Sequence, residues 1–130
     1  MEWQASDFEK HTGIGCVVSA KPEYIKLDKA IATAMFRILQ EALTNVARHA
    51  AATQVRISVK EVKDALDIEI RDNGKGISKI KLTGPNSLGI LGIRERVFLL
   101  GGSFSIKDLS GKGTAIRVPL HYNRSISTGN

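Results

Sequence analysis

The longest periodic stretch of the chain predicts an amphipathic α-helix. Its apolar residues recur at three- and four-residue spacings and gather on one face, as a buried stripe requires. Asp28 is a suitable N-cap, and the pattern continues to about His49, where Arg48 and His49 complement the helix dipole. The residues of the stripe are Ile31, Met35, Ile38, Leu39, Ala42 and Val46.

Polar residues on the border of that stripe indicate more than packing. Glu41, Asn45 and His49 follow one another at four-residue spacing, and so lie on one side of the helix. An Asn at the edge of a core needs hydrogen-bond partners or something to coordinate. His49 taken alone is typical of a hydrogen-bonded residue at a helix end.

Five segments predict β-strands. Residues 14–20 form an apolar, β-branched run that Pro22 ends, while residues 55–60 and 66–71 alternate between apolar and charged positions. Residues 61–65 connect the latter two as a hairpin. Phe104 with Ile106, and then residues 116–120, show the same alternation.

A second helix is predicted between these strands, with loop-like segments around it. Apolar residues at positions 90, 93, 97 and 100 mark the helix, and Gly101 and Gly102 stop it. Residues 72–88 lack periodicity, and a loop of this length is usually functional or mobile. We interpret the polar, aperiodic residues 1–12 as an N-terminal extension and residues 122–130 as a disordered tail.

The order of elements predicts an α+β fold. Strand, helix, two strands, glycine loop, helix and two strands suit a two-layer α/β sandwich, with a mixed, mostly antiparallel sheet and helices on one face. At 130 residues the chain is most simply a single domain, residues 1–130.

Composition excludes several classes of protein. With 42% apolar and 25% charged residues, no long apolar run and no signal-peptide pattern, the chain is expected to be globular and intracellular. The single cysteine, Cys16, excludes an internal disulfide and suits a buried hydrophobe. The net charge of +6 is dispersed, which favours a solvated surface suited to a polyphosphate ligand, and we expect no nucleic acid.

Four features could carry chemistry. They are the edge with Glu41 and Asn45, the sequence DNGKG at residues 72–76, the glycines at 89 and 92, and residues 111–114. Glycines at a loop-to-helix junction let phosphate approach free backbone N–H groups. Each feature alone is weak evidence for a binding site, since DNG is often a turn and residues 111–113 suit a hairpin. The combination of all four is much stronger evidence. P-loop and Rossmann patterns are absent.

At these residues the sequence resembles the ATP-binding catalytic domain of bacterial sensor histidine kinases, in the superfamily of gyrase, Hsp90 and MutL. LQEALTNVARHA resembles the N box, DNGKGI the G1 box, SLGILGIRERV the G2 box and GKGTAIRVPL the closing G3-like segment. The likeness covers roughly residues 34–120, is strongest to nitrate-sensor and lipid-fluidity-sensor kinases, and implies the Bergerat ATP-binding fold. Ser87 stands where the family often has the first glycine of its G2 box.

The resemblance implies a role for each matching residue. Asn45 would bind Mg²⁺ through its side-chain oxygen, and Glu41 would be the catalytic residue that accepts a proton or orients the attacking group. Asp72 would accept a hydrogen bond from the adenine amine, and Thr114 would bind the adenine edge. Further nucleotide contacts are implied for Arg48, His49, Gly74, Gly76, Ile77, Leu88, Gly89 and Gly92.

The resemblance also implies a function and partners. The domain would bind Mg²⁺-ATP in the cytoplasm and phosphorylate a histidine on a separate helical domain, in a homodimeric parent that acts on a response regulator. The chain resembles an excised catalytic module or half of a split system, whether or not the parent is anchored in a membrane. Two alternatives stay open: a stand-alone serine kinase of the anti-sigma-factor type, and a non-catalytic nucleotide-responsive module or basic nucleic-acid binder.

Overall fold

A computed structural model describes residues 2–21, 29–63, 65–75, 88–109 and 112–121. Asp28, Gly76, Ile77, Ser87, Gly111 and the 122–130 tail lie outside the described residues. No helix within the described ranges is both long and apolar enough to cross a membrane. The elements are α1 (Glu2–Thr12), β1 (Gly15–Lys21), α2 (Lys29–Asn45), a π-helix (Val46–Ala50), β2 (Gln54–Val62), β3 (Ala65–Asp72), α3 (Leu88–Leu99), β4 (Ser105–Asp108) and β5 (Thr114–His121).

The five strands form one sheet in the order β1-β2-β3-β5-β4. β1 and β2 are parallel, and all other neighbours are antiparallel, which confirms the predicted mixed sheet. A parallel pair needs a crossover, and α2 supplies it. Residues 51–53 alone separate the π-helix from β2, so α2 ends beside the edge of the sheet where β2 begins.

The register brings the ends of three strands to that same edge. Val55, at the start of β2, pairs with Asp72, the last residue of β3. Asp72 pairs in turn with Thr114, the first residue of β5. The segments around residues 72 and 114 are therefore neighbours in space, although they are far apart in sequence, and residues 51–53 lead from the π-helix to the same end of the sheet.

The core lies between the helices and one face of the sheet. Alternate strand residues such as Ile57, Ile68 and Val118 are fully buried against helical residues such as Ile38 and Ile93. The other face carries charged residues, among them Arg117, whose Nε donates to Asp67 Oδ1 at 3.0 Å. That hydrogen bond lowers the pKa of Asp67. The two-layer arrangement predicted from alternation is confirmed.

The N-terminal segment differs from the aperiodic extension predicted for it. Residues 2–12 form α1, which buries Gln4, Ala5 and Phe8 and leaves Trp3 69% exposed. The Gln4 side chain donates to the Phe36 carbonyl at 2.9 Å, which joins α1 to α2. Because a polar Gln occupies the buried face and a Trp the exposed one, the hydrophobic pattern conceals the helix.

Both predicted helices have ends that the sequence describes only in part. α2 gives way at Val46 to a π-turn, which ends at Ala51 with a positive φ of 52°. A pattern with a period of 3.6 residues does not reveal a π-turn. The stop at Gly101 and Gly102 is confirmed as a Schellman motif, since Gly101 N–H donates to Phe98 O at 3.0 Å and Gly102 N–H to Val97 O at 2.9 Å.

Cys16 is buried in β1, as the sequence predicts for a small hydrophobe. Burial, with a smaller contribution from Glu9, raises the pKa of its thiol to about 11. The thiol is therefore protonated at neutral pH, and thiolate chemistry is disfavoured.

Candidate functional site

Asp72 is the centre of a buried polar cluster at the end of β3. Its carboxylate is on the helix-facing side of the sheet and only 6% of the residue is exposed. Oδ1 accepts the backbone N–H of Gly74 at 2.8 Å, and the carboxylate also accepts the backbone N–H of Thr114. Burial raises the pKa of Asp72, and these two hydrogen bonds oppose the shift. A carboxylate has about four acceptor positions, so capacity for a ligand donor remains.

Gly113 and Thr114 bring β5 against this carboxylate. Thr114 is 7% exposed and pairs directly with Asp72 across the sheet. Gly113 has a φ of 124°, and a Cβ there would overlap the carbonyl oxygen of Asp72 and lie 2.8 Å from its carbonyl carbon. The sequence indicates Gly113 as a hairpin glycine, and the structure shows that the close approach of β5 to the Asp72 backbone also requires a glycine there.

Asn73 anchors the turn that follows Asp72, a role that the sequence analysis does not predict. Its Oδ1 accepts the backbone N–H groups of Thr53 and Gln54, each at 2.9 Å, and its Nδ2 donates to Thr53 Oγ1 at 2.9 Å. The turn after β3 is thereby fixed to the start of β2. An Asn in a DNG sequence indicates a turn, but its long-range partners leave no trace in the pattern.

Glu41 is held against α3 by two residues of that helix. Arg96 donates to Glu41 Oε1 from Nε at 3.1 Å and from Nη2 at 3.0 Å. A Cβ on Gly92 would lie 2.6 Å from Glu41 Oε2, so a side chain at this position would force the carboxylate to shift. The phosphate contact expected for Gly92 stays a prediction. The sequence does not indicate Arg96, because 55 residues separate it from Glu41.

Two side-chain atoms on successive turns of α2 are buried without a hydrogen-bond partner among the described residues. They are Glu41 Oε2 and Asn45 Nδ2. Leaving such atoms unpaired costs about 1–3 kcal/mol each, and unpaired atoms of this kind suggest a missing ligand or ion. The two ends of an Asn amide exchange by a half-turn, so Asn45 can present either its oxygen or its nitrogen.

The side chains available as ligands limit which metal ion could bind. The described part of the chain holds no cluster of three or more His, Cys, Asp or Glu side chains. A closed zinc-type cage is therefore absent from those residues. Asn45 fits an ion such as Mg²⁺, which prefers hard oxygen ligands and takes most of them from water and phosphate.

The remaining predicted site residues are placed less completely. Arg48 is exposed on the π-helix that follows Asn45, and Gly74 is buried two residues after Asp72. Leu88 and Gly89 open α3, where the first backbone N–H groups of a helix have no intrahelical partner. For His49 and Leu88 only the backbone is described, and Gly76 and Ile77 lie outside the described residues.

Residues 30–124 match the family of histidine kinase-, DNA gyrase B- and HSP90-like ATPases. Since the match covers most of the chain, the protein belongs to this family. The chain is therefore an ATP-binding domain, and its fold is that of the family, as the sequence motifs predict.

The curated proteins that resemble the chain include a histidine kinase and a sensor protein. The chain is 34% identical over 113 residues to the signal transduction histidine-protein kinase/phosphatase DegS of Brevibacillus brevis, covering 87% of this chain and 29% of DegS. It is 37% identical over 99 residues to the sensor protein VraS of Staphylococcus haemolyticus, covering 76% of this chain and 28% of VraS. The chain thus spans less than a third of the length of either relative.

Solved structures support the same fold. The histidine kinase domain of the blue-light activated histidine kinase of Erythrobacter litoralis EL346 superposes with a TM-score of 0.76 at 24% identity, covering 90% of this chain and 57% of that one. At this identity the similarity is informative about the fold only.

Proposed function

We propose that the chain is the ATP-binding catalytic domain of a two-component sensor histidine kinase, formed by residues 1–130 as one unit. It transfers the γ-phosphoryl group of ATP to a histidine on a separate helical domain. The observation that supports the proposal most strongly is the buried Asp72 carboxylate, which lies beside Thr114 at the end of β3. Two side-chain atoms on α2, of Glu41 and Asn45, lack a hydrogen-bond partner among the described residues and add to it.

The cluster around Asp72 supplies the adenine pocket. The Asp72 carboxylate accepts a hydrogen bond from the exocyclic amine, and Thr114 binds the adjacent edge of the ring. Gly74, buried beside Asp72, leaves space for the purine. Gly76, Ile77 and Leu88 complete the pocket in this proposal.

The end of α2 forms the phosphate side. Mg²⁺, when bound through the Asn45 oxygen, would neutralise charge on the phosphate oxygens. Arg48 and His49 contact phosphate, and Gly89 offers a backbone N–H group in the first turn of α3. Gly92 lies one turn further into the helix, where the backbone N–H is bonded within it. Glu41 accepts the proton that the attacking nucleophile loses. The nucleophile bonds to the γ-phosphorus as the bond from phosphorus to the bridging oxygen breaks, and the electron pair leaves with ADP.

Further partners follow from this activity. The acceptor histidine lies in a homodimeric parent protein, and a response regulator receives the phosphoryl group afterwards. The domain acts in the cytoplasm, where ATP and response regulators are found. No nucleic acid is part of the proposal, because the basic residues are dispersed and mixed with acids.

Replacing Asn45 with Ala is expected to remove the Mg²⁺ dependence of ATP binding. Wild-type protein should bind ATP more tightly with Mg²⁺ than with EDTA, whereas Asn45→Ala should show nearly equal affinities. The cause is loss of the side chain that offers the ion an oxygen in this proposal. Calorimetric titrations with and without Mg²⁺ test this, and an unchanged Mg²⁺ effect in Asn45→Ala would assign the ion to other residues.

Phosphoryl transfer itself is tested with the parent protein and γ-labelled ATP. The proposal expects a labelled protein whose label is lost in acid and retained in alkali, as for phosphohistidine. A label stable to acid would instead favour the serine-kinase alternative. A folded parent protein that binds ATP and incorporates no label would contradict catalysis and support a nucleotide-responsive module.

A further inference from the structure

The ion pair between Glu41 and Arg96 has an unusual geometry. Both Arg96 donors, Nε at 3.1 Å and Nη2 at 3.0 Å, go to the same oxygen, Oε1. An Arg–carboxylate pair is frequently two parallel bonds that use both oxygens. Here the second oxygen, Oε2, is buried and lacks a partner among the described residues. A contact that served only to join α2 to α3 would gain stability by using it.

α3 also shapes the place where the carboxylate lies. Gly92 and Arg96 are one turn apart on α3, and so they face α2 together. A Cβ at Gly92 would lie 2.6 Å from Oε2 and 3.2 Å from Oε1, so the carboxylate rests directly on the helix backbone. Arg96 holds the carboxylate through Oε1, and Oε2 is the oxygen that lies nearer to the Gly92 backbone. Oε2 has no hydrogen-bond donor among the described residues and so keeps its acceptor capacity.

The position of Oε2 relative to Asn45 adds a second observation. Asn45 is one turn further along α2 and also has a buried side-chain atom without a partner among the described residues. Two buried polar atoms without a partner among the described residues, Glu41 Oε2 and Asn45 Nδ2, therefore lie on successive turns of α2. Arg96 pairs with Oε1 of Glu41 and leaves Oε2 without a donor.

We propose that Arg96 is a positioning residue, which fixes the Glu41 carboxylate so that Oε2 is free to take the proton of the attacking nucleophile. The inference depends on the proposed kinase function. Arg96 acts only through Glu41 and does not touch ATP. Arg96 belongs to α3, whose first turn faces the phosphates in the proposed function. The orientation of the Glu41 carboxylate therefore depends on where α3 lies.

The test is a double-mutant cycle of Arg96→Met, Glu41→Gln and the combined variant. Single-turnover autophosphorylation is measured in the parent protein, and ATP affinity and thermal unfolding in this chain. Arg96→Met should lower the rate by about 10- to 100-fold, the scale of a misplaced acid–base group, with ATP affinity changed less than about threefold. Once Glu41 is Gln, Arg96→Met should cause no further loss.

Two controls separate positioning from simple stabilisation. Arg96→Lys keeps one donor for Oε1 and should recover part of the rate. Arg117→Met removes an ion pair of the same type on the solvent face, with Asp67, and should leave the rate unchanged.

The possible failures are distinguishable. If wild-type protein binds no ATP or is not phosphorylated, the proposed function fails and this inference fails with it. If wild type is active, while Arg96→Met only lowers the melting temperature or loses rate additively with Glu41→Gln, the kinase proposal survives. In that case the positioning role is wrong and Arg96 merely joins two helices.

Discussion

Replacing Asp72 with Asn is expected to weaken ATP binding by about 10- to 100-fold, the cost of a hydrogen bond to a charged group in a buried site. One carboxylate oxygen already accepts the Gly74 N–H at 2.8 Å. The amide of the substituted side chain would have one acceptor and one donor, so its NH₂ would face either a backbone N–H or the adenine amine. Calorimetric titration with ATP measures the loss, and unchanged affinity would contradict the role of Asp72.

The same substitution should also change how stability depends on pH. Burial raises the folded-state pKa of Asp72 above its ordinary value of 3.8. The contribution of Asp72 to stability is therefore fully present below its ordinary pKa of 3.8 and is lost as pH rises through the folded-state pKa. Asn does not titrate, so only the wild-type protein loses this contribution as pH rises. The difference in unfolding free energy, Asp72→Asn minus wild type, should therefore increase from about pH 3.5 to pH 7.

Denaturant unfolding at several pH values measures this difference. Asp67, whose pKa is lowered, has the opposite pH dependence, but it is present in both proteins and cancels. A difference that stays constant or falls with pH would show that Asp72 is not penalised by burial.

Replacing Gly113 with Ala is expected to cost about 2–6 kcal/mol of unfolding free energy. This sum combines a strained backbone with overpacking against atoms that cannot rotate away. The φ of 124° disfavours any side chain, and the new Cβ would overlap the carbonyl oxygen of Asp72. Denaturant unfolding gives the loss, and ATP affinity should fall as well because the Asp72 backbone must move.

Gly101→Ala is the matched control for this effect. Gly101 also has a positive φ, 74°, but a Cβ there would meet nothing within 4 Å. Its cost should be about 1–2 kcal/mol, from the left-handed backbone alone, with no change in ATP affinity. If the two alanine variants were equally stable, the close approach of Gly113 to Asp72 would not constrain the fold.

The fold could be predicted because its elements follow simple periods. The alternation around Ile57, Ile68 and Val118 identifies strands with one buried face, and the structure confirms it. α2 is visible from its apolar stripe for the same reason. α1 could not be predicted because it buries Gln4 and exposes Trp3, the reverse of the usual burial of apolar residues and exposure of polar ones.

The candidate site could be located from motifs, but not its internal contacts. Asp72 and Thr114 are brought together as direct cross-strand neighbours, consistent with their shared adenine role in the resemblance. Arg96 and Asn73 escape prediction because their partners are 55 and about 20 residues away, and spacing in sequence says nothing of such pairs. The roles of the individual residues in binding and catalysis stay predictions.

In the proposed function Asp72 and its neighbours form an adenine pocket, and a comparison of ATP with GTP as ligands tests that pocket. Guanine carries an oxygen where adenine carries its exocyclic amine, so the Asp72 carboxylate would meet an acceptor instead of a donor. Calorimetric titration of the folded wild-type chain with each Mg²⁺-nucleotide should show ATP binding and GTP binding at least about 10-fold weaker. Absence of ATP binding, or equal affinity for both nucleotides, would contradict an adenine pocket at Asp72.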